Sequence, residues 1–251
     1  MTSIADARLR FRKLHESGFF ILPNAWDAGS AVRLAALGFQ AIASTSSGAA
    51  WAAGKEDGQL TRDEVLAHLR LLVGATDLPV NADFENGFAD APEDVAANVR
   101  LAIDTGVAGL SIEDWSGSAL YDTGLAVERI AAAREAIDAT GQDVMLVGRS
   151  ENFRVPGMSA ADSIARAVAY AEAGADCLFV PVIEDRGAVA ELIAAVAPRP
   201  VNVLVHDYDG RIAEFAQLGA RRCSVGGSLA KASWNAFDTA ARTLKDCAPK
   251  I

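Results

Sequence analysis

Short apolar runs punctuate this chain at 19–22, 41–44, 80–83, 109–113, 144–149, 177–180, 201–205 and 223–225. Between and after them, segments 28–37, 62–75, 92–104, 126–139, 160–173, 187–196, 210–218 and 229–244 repeat apolar positions every three or four residues. That is the period of an amphipathic helix, whereas a short run bounded by turn residues reads as a buried strand. A further helix, 4–16, precedes the first run. Several helices stop at a glycine turn, as in Leu37-Gly38-Phe39, Thr105-Gly106-Val107, Ala173-Gly174-Ala175 and Leu218-Gly219-Ala220. Glycine takes the left-handed cap with least strain. Strands separated by helices must run parallel. Eight strand–helix pairs predict an α/β fold closed as a (β/α)8 barrel, not an open doubly wound sheet. No linker or composition break divides the chain, so 1–251 is expected to be one domain.

Charge collects where the runs end. Asp83 and Glu85 follow one, Glu113 closes the next, and Arg149 closes the one after that. Side chains alternate along a strand, so Asp83 and Glu85 are expected to point the same way. Ser111 shares a face with Glu113, leaving Leu110 and Ile112 to pack beneath helices. Arg149 keeps the parity of Met145 and Val147. The C-terminal ends of barrel strands form the catalytic face. Oxygen donors gathered there suit a hard divalent cation, Mg²⁺ first and Mn²⁺ as the alternative. The competing account makes each acid an ordinary helix cap. Arg149 is read either as a salt-bridge partner of Glu151 or Glu113, or as a fork for a substrate carboxylate or phosphoryl group.

Two loops are candidates for holding an anion through small residues and free amides. One is Ser44 to Ala49, with Ser46, Ser47 and Gly48; the other runs from Ser224 to Ser228 into the last helix. Asp57 lies in a turn between the first of these loops and helix 62–75. His206, at the end of the seventh strand with the parity of Asn202 and Leu204, is a candidate proton carrier or a loop histidine bonded to backbone. His15 and His68 fall on helices and are expected to be packed or solvent-facing.

A net charge of −10 argues against nucleic acid or anionic membrane as a partner. Cys177, Cys223 and Cys247 are odd in number and widely spaced, which fits small buried thiols in a reducing cytoplasm. No signal-like or membrane-length apolar segment is evident.

Taken together, the segments resemble the isocitrate lyase/phosphoenolpyruvate mutase superfamily over nearly the whole chain. The resemblance rests on Pro23-Asn24-Ala25-Trp26-Asp27, Ser46-Ser47-Gly48, Gly54 to Gly58, Ala82-Asp83-Phe84-Glu85-Asn86-Gly87, Ser111-Ile112-Glu113-Asp114, Gly148-Arg149-Ser150-Glu151, Ala173 to Phe179 and Pro200-Val201-Asn202. It implies a barrel with Mg²⁺ near Asp83, Glu85 and Glu113, and Asp57 beside the ion's waters. It also implies a small anionic 2-oxo acid or phosphonate as substrate, with Trp26, Ser46, Ser47, Gly48, Asp83, Arg149, Glu151 and Asn202 around it. Members are expected to be homo-oligomers, dimers or tetramers, that exchange their last helix, here 229–244. One departure stands out. The lyases carry a Lys-[Lys/Arg]-Cys-Gly-His loop after Ile-Glu-Asp and the mutases a lysine loop. Here Trp115 to Gly124 has no cysteine, histidine or lysine. Proton transfer then falls to Asp57, His206 or Tyr121. The expected activity is cleavage of a C–C bond beside a 2-oxo acid carboxylate, as a lyase, decarboxylase or hydrolase working through an enolate. P–C chemistry, by a phosphonomutase or phosphonopyruvate hydrolase, is the alternative, and a non-catalytic metabolite-binding barrel the second.

Overall fold

The computed structural model describes residues 2–181, 183, 185–206 and 210–247. The first predicted strand is two segments, because Pro23 interrupts it. Segment β1 (Phe20–Leu22) pairs with the last strand, β9 (Arg222–Ser224), while β2 (Asn24–Ala25) pairs with β3 (Ile42–Ser44). Proline has no N–H to donate to a ladder, but its carbonyl accepts from the Ala43 amide at 2.9 Å. The two segments are halves of one stave. Strands β4 (Val80–Asp83), β5 (Gly109–Glu113), β6 (Met145–Arg149), β7 (Cys177–Phe179) and β8 (Val201–Leu204) complete an all-parallel ring in the order β1-β9-β8-β7-β6-β5-β4-β3-β2. The fold is the expected α/β barrel, with nine strand segments standing for eight staves.

Ten α-helices accompany the strands among the described residues: α1 (Ile4–Leu14), α2 (Ala28–Ala36), α3 (Ser46–Ala52), α4 (Arg62–Ala75), α5 (Pro92–Ile103), α6 (Thr123–Ala139), α7 (Ala160–Glu172), α8 (Arg186–Val196), α9 (Arg211–Leu218) and α10 (Ser228–Asp246). Three start with reciprocal capping boxes, Asp27 with Ser30, Thr61 with Glu64 and Ser159 with Asp162, each satisfying two otherwise orphaned amides. The expected loop at Ser46–Gly48 is instead the first turn of α3, capped by Thr45. None of the helices is long and apolar enough to cross a membrane.

Within β5 the side chains alternate as expected. Leu110 and Ile112 join the main core with Leu146, Val203 and the inner faces of the helices, whereas Ser111 turns into the lumen. At the N-terminal end of the barrel, Phe11 of α1 packs with Phe20, Ala41, Ala108 and Met145. Burying a side chain of that size contributes about 1.5–3 kcal/mol. Arg8 pins the helix by donating to the carbonyls of Val107 and Ile103, each at 2.9 Å. Above Phe11 the lumen is polar, lined by Asn24, Asn81, Ser111, Asn202 and Arg222. Barrel interiors are ordinarily filled by branched apolar side chains; here polar ones line an open cavity.

Helix α10 stands apart. Ala230 is its one buried residue among those described, and Trp234, Phe237 and Leu244 are exposed. Cys177 and Cys223 are buried as expected, but Cys247, beyond this helix, is exposed. His15 and His68 are packed, His15 against Phe11 and Phe20 and His68 against the Trp26 carbonyl.

Candidate active site

Asp83, Glu113 and Arg149 are the last residues of three consecutive strands, and Glu113 lies in register with Arg149. The alternation rule fails one step later. Strand β4 ends at Asp83, and Glu85 has φ +46°, as Phe88 has φ +56°. Left-handed backbone is uncommon outside glycine and marks a constrained turn. The Glu85 carbonyl is tied down by the Glu113 amide at 2.9 Å. Glu85 therefore leaves the face of Asp83: Glu85 borders an outer cavity of about 360 Å³, while Asp83 borders an inner one of about 220 Å³. Ser46, Asp57, Arg149 and Arg154 border both. They form one basin with a deep and a shallow part.

Arg149 is the hub. It bonds Asp83 Oδ1 through Nη1 at 3.0 Å, Glu151 Oε1 through Nε and Nη2 at 2.5 Å, and lies 3.3 Å from Glu113 Oε2. Its guanidinium carbon lies 5.3 Å from the centre of the Phe179 ring, a cation–π contact. Burial pulls its pKa down, but Glu113, Glu151 and Asp83 outweigh burial and raise it. One cation shared among three acids neutralises none of them fully. Burial pushes the Glu113 carboxyl up to about 8 despite Arg149, with Glu151 and Asp83 adding repulsion. Burial, then Asp83 and Asp57, push Glu85 up to about 7. Glu85 Oε1 is buried without a hydrogen-bond partner.

This donor set fits a hard cation in chemistry: carboxylate oxygens in excess of guanidiniums on one rim, one of them orphaned. It does not form a ready-made cage. Among the described residues no three His, Cys, Asp or Glu side chains converge closely enough to ligate one ion directly. Mg²⁺ usually keeps several waters. At ~30 Å³ per water, a six-water shell needs roughly 200 Å³, and the outer cavity offers about 360 Å³. A hydrated ion bridged to Asp57, Glu85 and Glu113 fits.

The other expected residues divide. Asp57 is exposed and borders both cavities. His206 borders the inner one, with Nδ1 3.3 Å from Ser228 Oγ, and Asn202 lies deeper. Glu151 sits behind Arg149, bonded to it and to Arg154 at 2.6 Å. The Ser46 amide, expected to face substrate, donates to Asp83 Oδ2 at 2.9 Å, while Gly48 turns its amide to Thr45 Oγ1. The rival anion loop is spent too, since the amides of Val225 and Gly226 both donate to Asn24 Oδ1 at 2.9 Å. Four of the expected residues border neither cavity: Gly48, Glu151, Trp26 and Tyr121. The Trp26 carbonyl serves His68. Tyr121 is removed from proton transfer: its hydroxyl donates to Asp90 at 2.5 Å and accepts from Asn86 at 3.0 Å, with Arg129 stacked on its ring. Of the two readings of Arg149, the salt-bridge one holds: it pairs with Glu151 and Glu113, and Asp83 takes part of the remaining fork.

Three contributors escaped the sequence reading. Asp114, fully buried, accepts from Ser150, the Glu151 amide, Arg166 and Tyr170 at 2.6–3.1 Å and so fixes the strand ends behind Arg149. Its parity, opposite to Glu113, points it away from the lumen and hid it. Arg154 hangs over the mouth, 5.7 Å from the Trp115 ring. Arg222 lies at the bottom of the inner cavity. The segment after Glu113 forms a small hairpin joined by a Trp115–Leu120 bridge, and Trp115, Ser116 and Gly117 wall the outer cavity.

The family model for phosphoenolpyruvate phosphomutase matches residues 11–245. The chain belongs to that family. It lies within the isocitrate lyase/phosphoenolpyruvate mutase superfamily. A presumed lyase or mutase of Burkholderia cenocepacia J2315 shares 44% identity and superposes with a TM-score of 0.92, over 96% of this chain and 89% of that one. The 2-methylisocitrate lyase of Escherichia coli K12 is 35% identical over 182 residues, 68% of this chain and 60% of its own. A 2,3-dimethylmalate lyase structure is 27% identical with a TM-score of 0.87, covering 100% of this chain and 90% of that one. Lyases thus share the barrel with this chain.

Proposed function

We propose that this protein is a Mg²⁺-dependent enzyme that breaks the C–C bond beside the carboxylate of a small 2-oxo or 2-hydroxy dicarboxylate, as a lyase, decarboxylase or hydrolase. The observation that carries the reading is Glu85, a carboxylate with one buried, unpaired oxygen, lining the same cavity as Glu113. Such a group is costly unless a cation or donor meets it. Mg²⁺, or Mn²⁺ in its place, would polarise the substrate's carboxylate and adjacent oxygen and take up charge as the bond breaks. Asp57, Glu85 and Glu113 would hold it, largely through water, with Asp83 behind them.

The chain's own residues supply orientation and protons. Arg149, anchored by Asp83 and Glu151, keeps a fixed positive charge at the reacting end. Arg154 spends Nε on Glu151 and leaves an exposed guanidinium over the mouth for an incoming anion. Trp115 narrows the entrance and limits water. Asp57 and His206, which border the basin where Tyr121 does not, are the groups that carry protons.

The test is turnover of oxaloacetate and 2-hydroxy dicarboxylates with Mg²⁺ or Mn²⁺, beside Glu113→Ala. Activity in the parent that vanishes in the variant supports the reading; equal activity in both rejects the metal assignment. ³¹P NMR with phosphonopyruvate decides the P–C alternative, since a moved phosphorus resonance would transfer the protein to that chemistry. Ligand-dependent thermal stabilisation without any product would make it a binding barrel.

A further inference from the structure

The inner cavity has a cation at its base that the mouth chemistry does not use. Arg222 opens β9 and is 2% exposed. Its Nε donates to Asn202 Oδ1 at 3.0 Å, and its Nη1 meets His15 Nε2 at 3.1 Å and Asn81 Oδ1 at 3.3 Å. Every one of these partners is neutral. Among the described residues no carboxylate pairs with it, and Cys177, whose thiolate would favour the guanidinium, is kept in its neutral thiol form by burial. A guanidinium does not escape by losing its proton, and a buried charge without a counter-ion is expensive. Arg149, by contrast, has three acids around it.

Geometry places the two arginines on one shaft. Arg149 is in register with Phe179, Phe179 with Asn202, and Asn202 with Arg222. Strands in such a barrel tilt by ~35–45° and lie ~4.8 Å apart, so a rung followed across three neighbours descends roughly 8–10 Å along the axis. Arg149 closes its strand and Arg222 opens its own, so Arg222 is the lower. Between them lies the inner cavity of about 220 Å³, walled by Asn24, Asn81 and Ser111. That space equals about seven waters at their liquid volume, or one small organic acid.

We propose that Arg222 binds the far carboxylate of the substrate, whose reacting end sits at the Glu113 rim. The lumen then selects a dianion that spans its depth and rejects a monoanion with the same head group. The reacting-end placement rests on the proposed function. The anionic occupant of the floor rests on Arg222 alone.

Two measurements on the full-length, metal-free protein test this. Crystals of the parent soaked in selenate should show an anomalous selenium peak within hydrogen-bond distance of Arg222; a lumen free of selenium overturns the anion site. By calorimetry, succinate should bind the parent at least tenfold more tightly than butyrate, and Arg222→Met should bring that ratio to about one. Arg149→Met should weaken both ligands and keep the ratio. A ratio that survives Arg222→Met overturns the proposal, and selenate at the floor with a parental ratio near one overturns the substrate half of it. The selenate arm needs no variant, so poor folding of Arg222→Met does not shield the idea. Neither arm involves turnover or Mg²⁺, so failure of the metal chemistry reads separately.

Discussion

Arg149 and Arg222 face the same lumen, yet the protein holds them in opposite ways. At the mouth, a guanidinium is enclosed by Asp83, Glu113 and Glu151. At the floor, another is enclosed by amides and an imidazole. The same side chain is a fixed framework charge in the first setting and an open receptor in the second. Sequence position alone would have ranked them in reverse, since Arg149 ends a strand and Arg222 begins one.

The largest effect is expected from Glu113→Gln, which keeps the shape but removes the charge. Turnover of the substrate should fall by about 10²–10³, as for loss of one electrostatic stabiliser, with weaker Mn²⁺ binding by electron paramagnetic resonance. Next comes Arg149→Met. It strands three carboxylates and should destabilise by roughly 3–5 kcal/mol in urea unfolding at pH 8. Arg222→Met leaves only neutral groups unsatisfied and should cost about 1–3 kcal/mol. If Arg222 proved the more costly, the contrast between framework and receptor would be wrong.

The two ends should also titrate in opposite senses. Burial, then Arg222, push the His15 imidazole down to about 3, so it stays neutral in the folded protein. The unfolded chain takes up that proton near pH 6.5, so stability should fall as pH drops from about 6.5 towards 3, by a few kcal/mol. At the mouth, Glu85 and Glu113 are raised to about 7 and about 8. Their contribution is whole below about pH 4.5, where the unfolded carboxyls are also protonated, and is lost as pH rises through the folded values. Metal-free protein should thus be most stable in mildly acidic solution, and His15→Gln should flatten only the acid limb in urea midpoints taken across pH. The smallest effect on the protomer belongs far from both arginines. Phe237→Glu on α10 should change protomer stability by less than ~0.5 kcal/mol, yet lower the mass seen by light scattering if exposed Trp234 and Phe237 join neighbouring subunits.

Much of this was legible because it depends on local spacing. The eight-stave barrel followed from alternating run lengths, and Glu113 and Arg149 reached one rim because parity within a strand is reliable. Glu85 was misplaced because parity stops where a strand stops, and nothing in Asp83-Phe84-Glu85 announces a left-handed turn. Tyr121 was misjudged because its partner Asp90 lies 31 residues away in the chain. The Ser46 amide was foreseen at the substrate, but Asp83 claims it. Arg222 stayed invisible for a different reason. A cation's significance lies in which acids are missing around it, and that needs three dimensions.

The stave divided at Pro23 has a consequence for how the molecule is made. Its first half, β1, has its ladder partner in β9, some 200 residues downstream. At ~5–20 residues per second of synthesis, that half waits on the order of 10–40 s for its mate. Until then the nascent chain carries a curved sheet with an open margin, a bare row of N–H and C=O groups that invites pairing with another chain. That margin has to stay shielded from other chains until β9 arrives to close it.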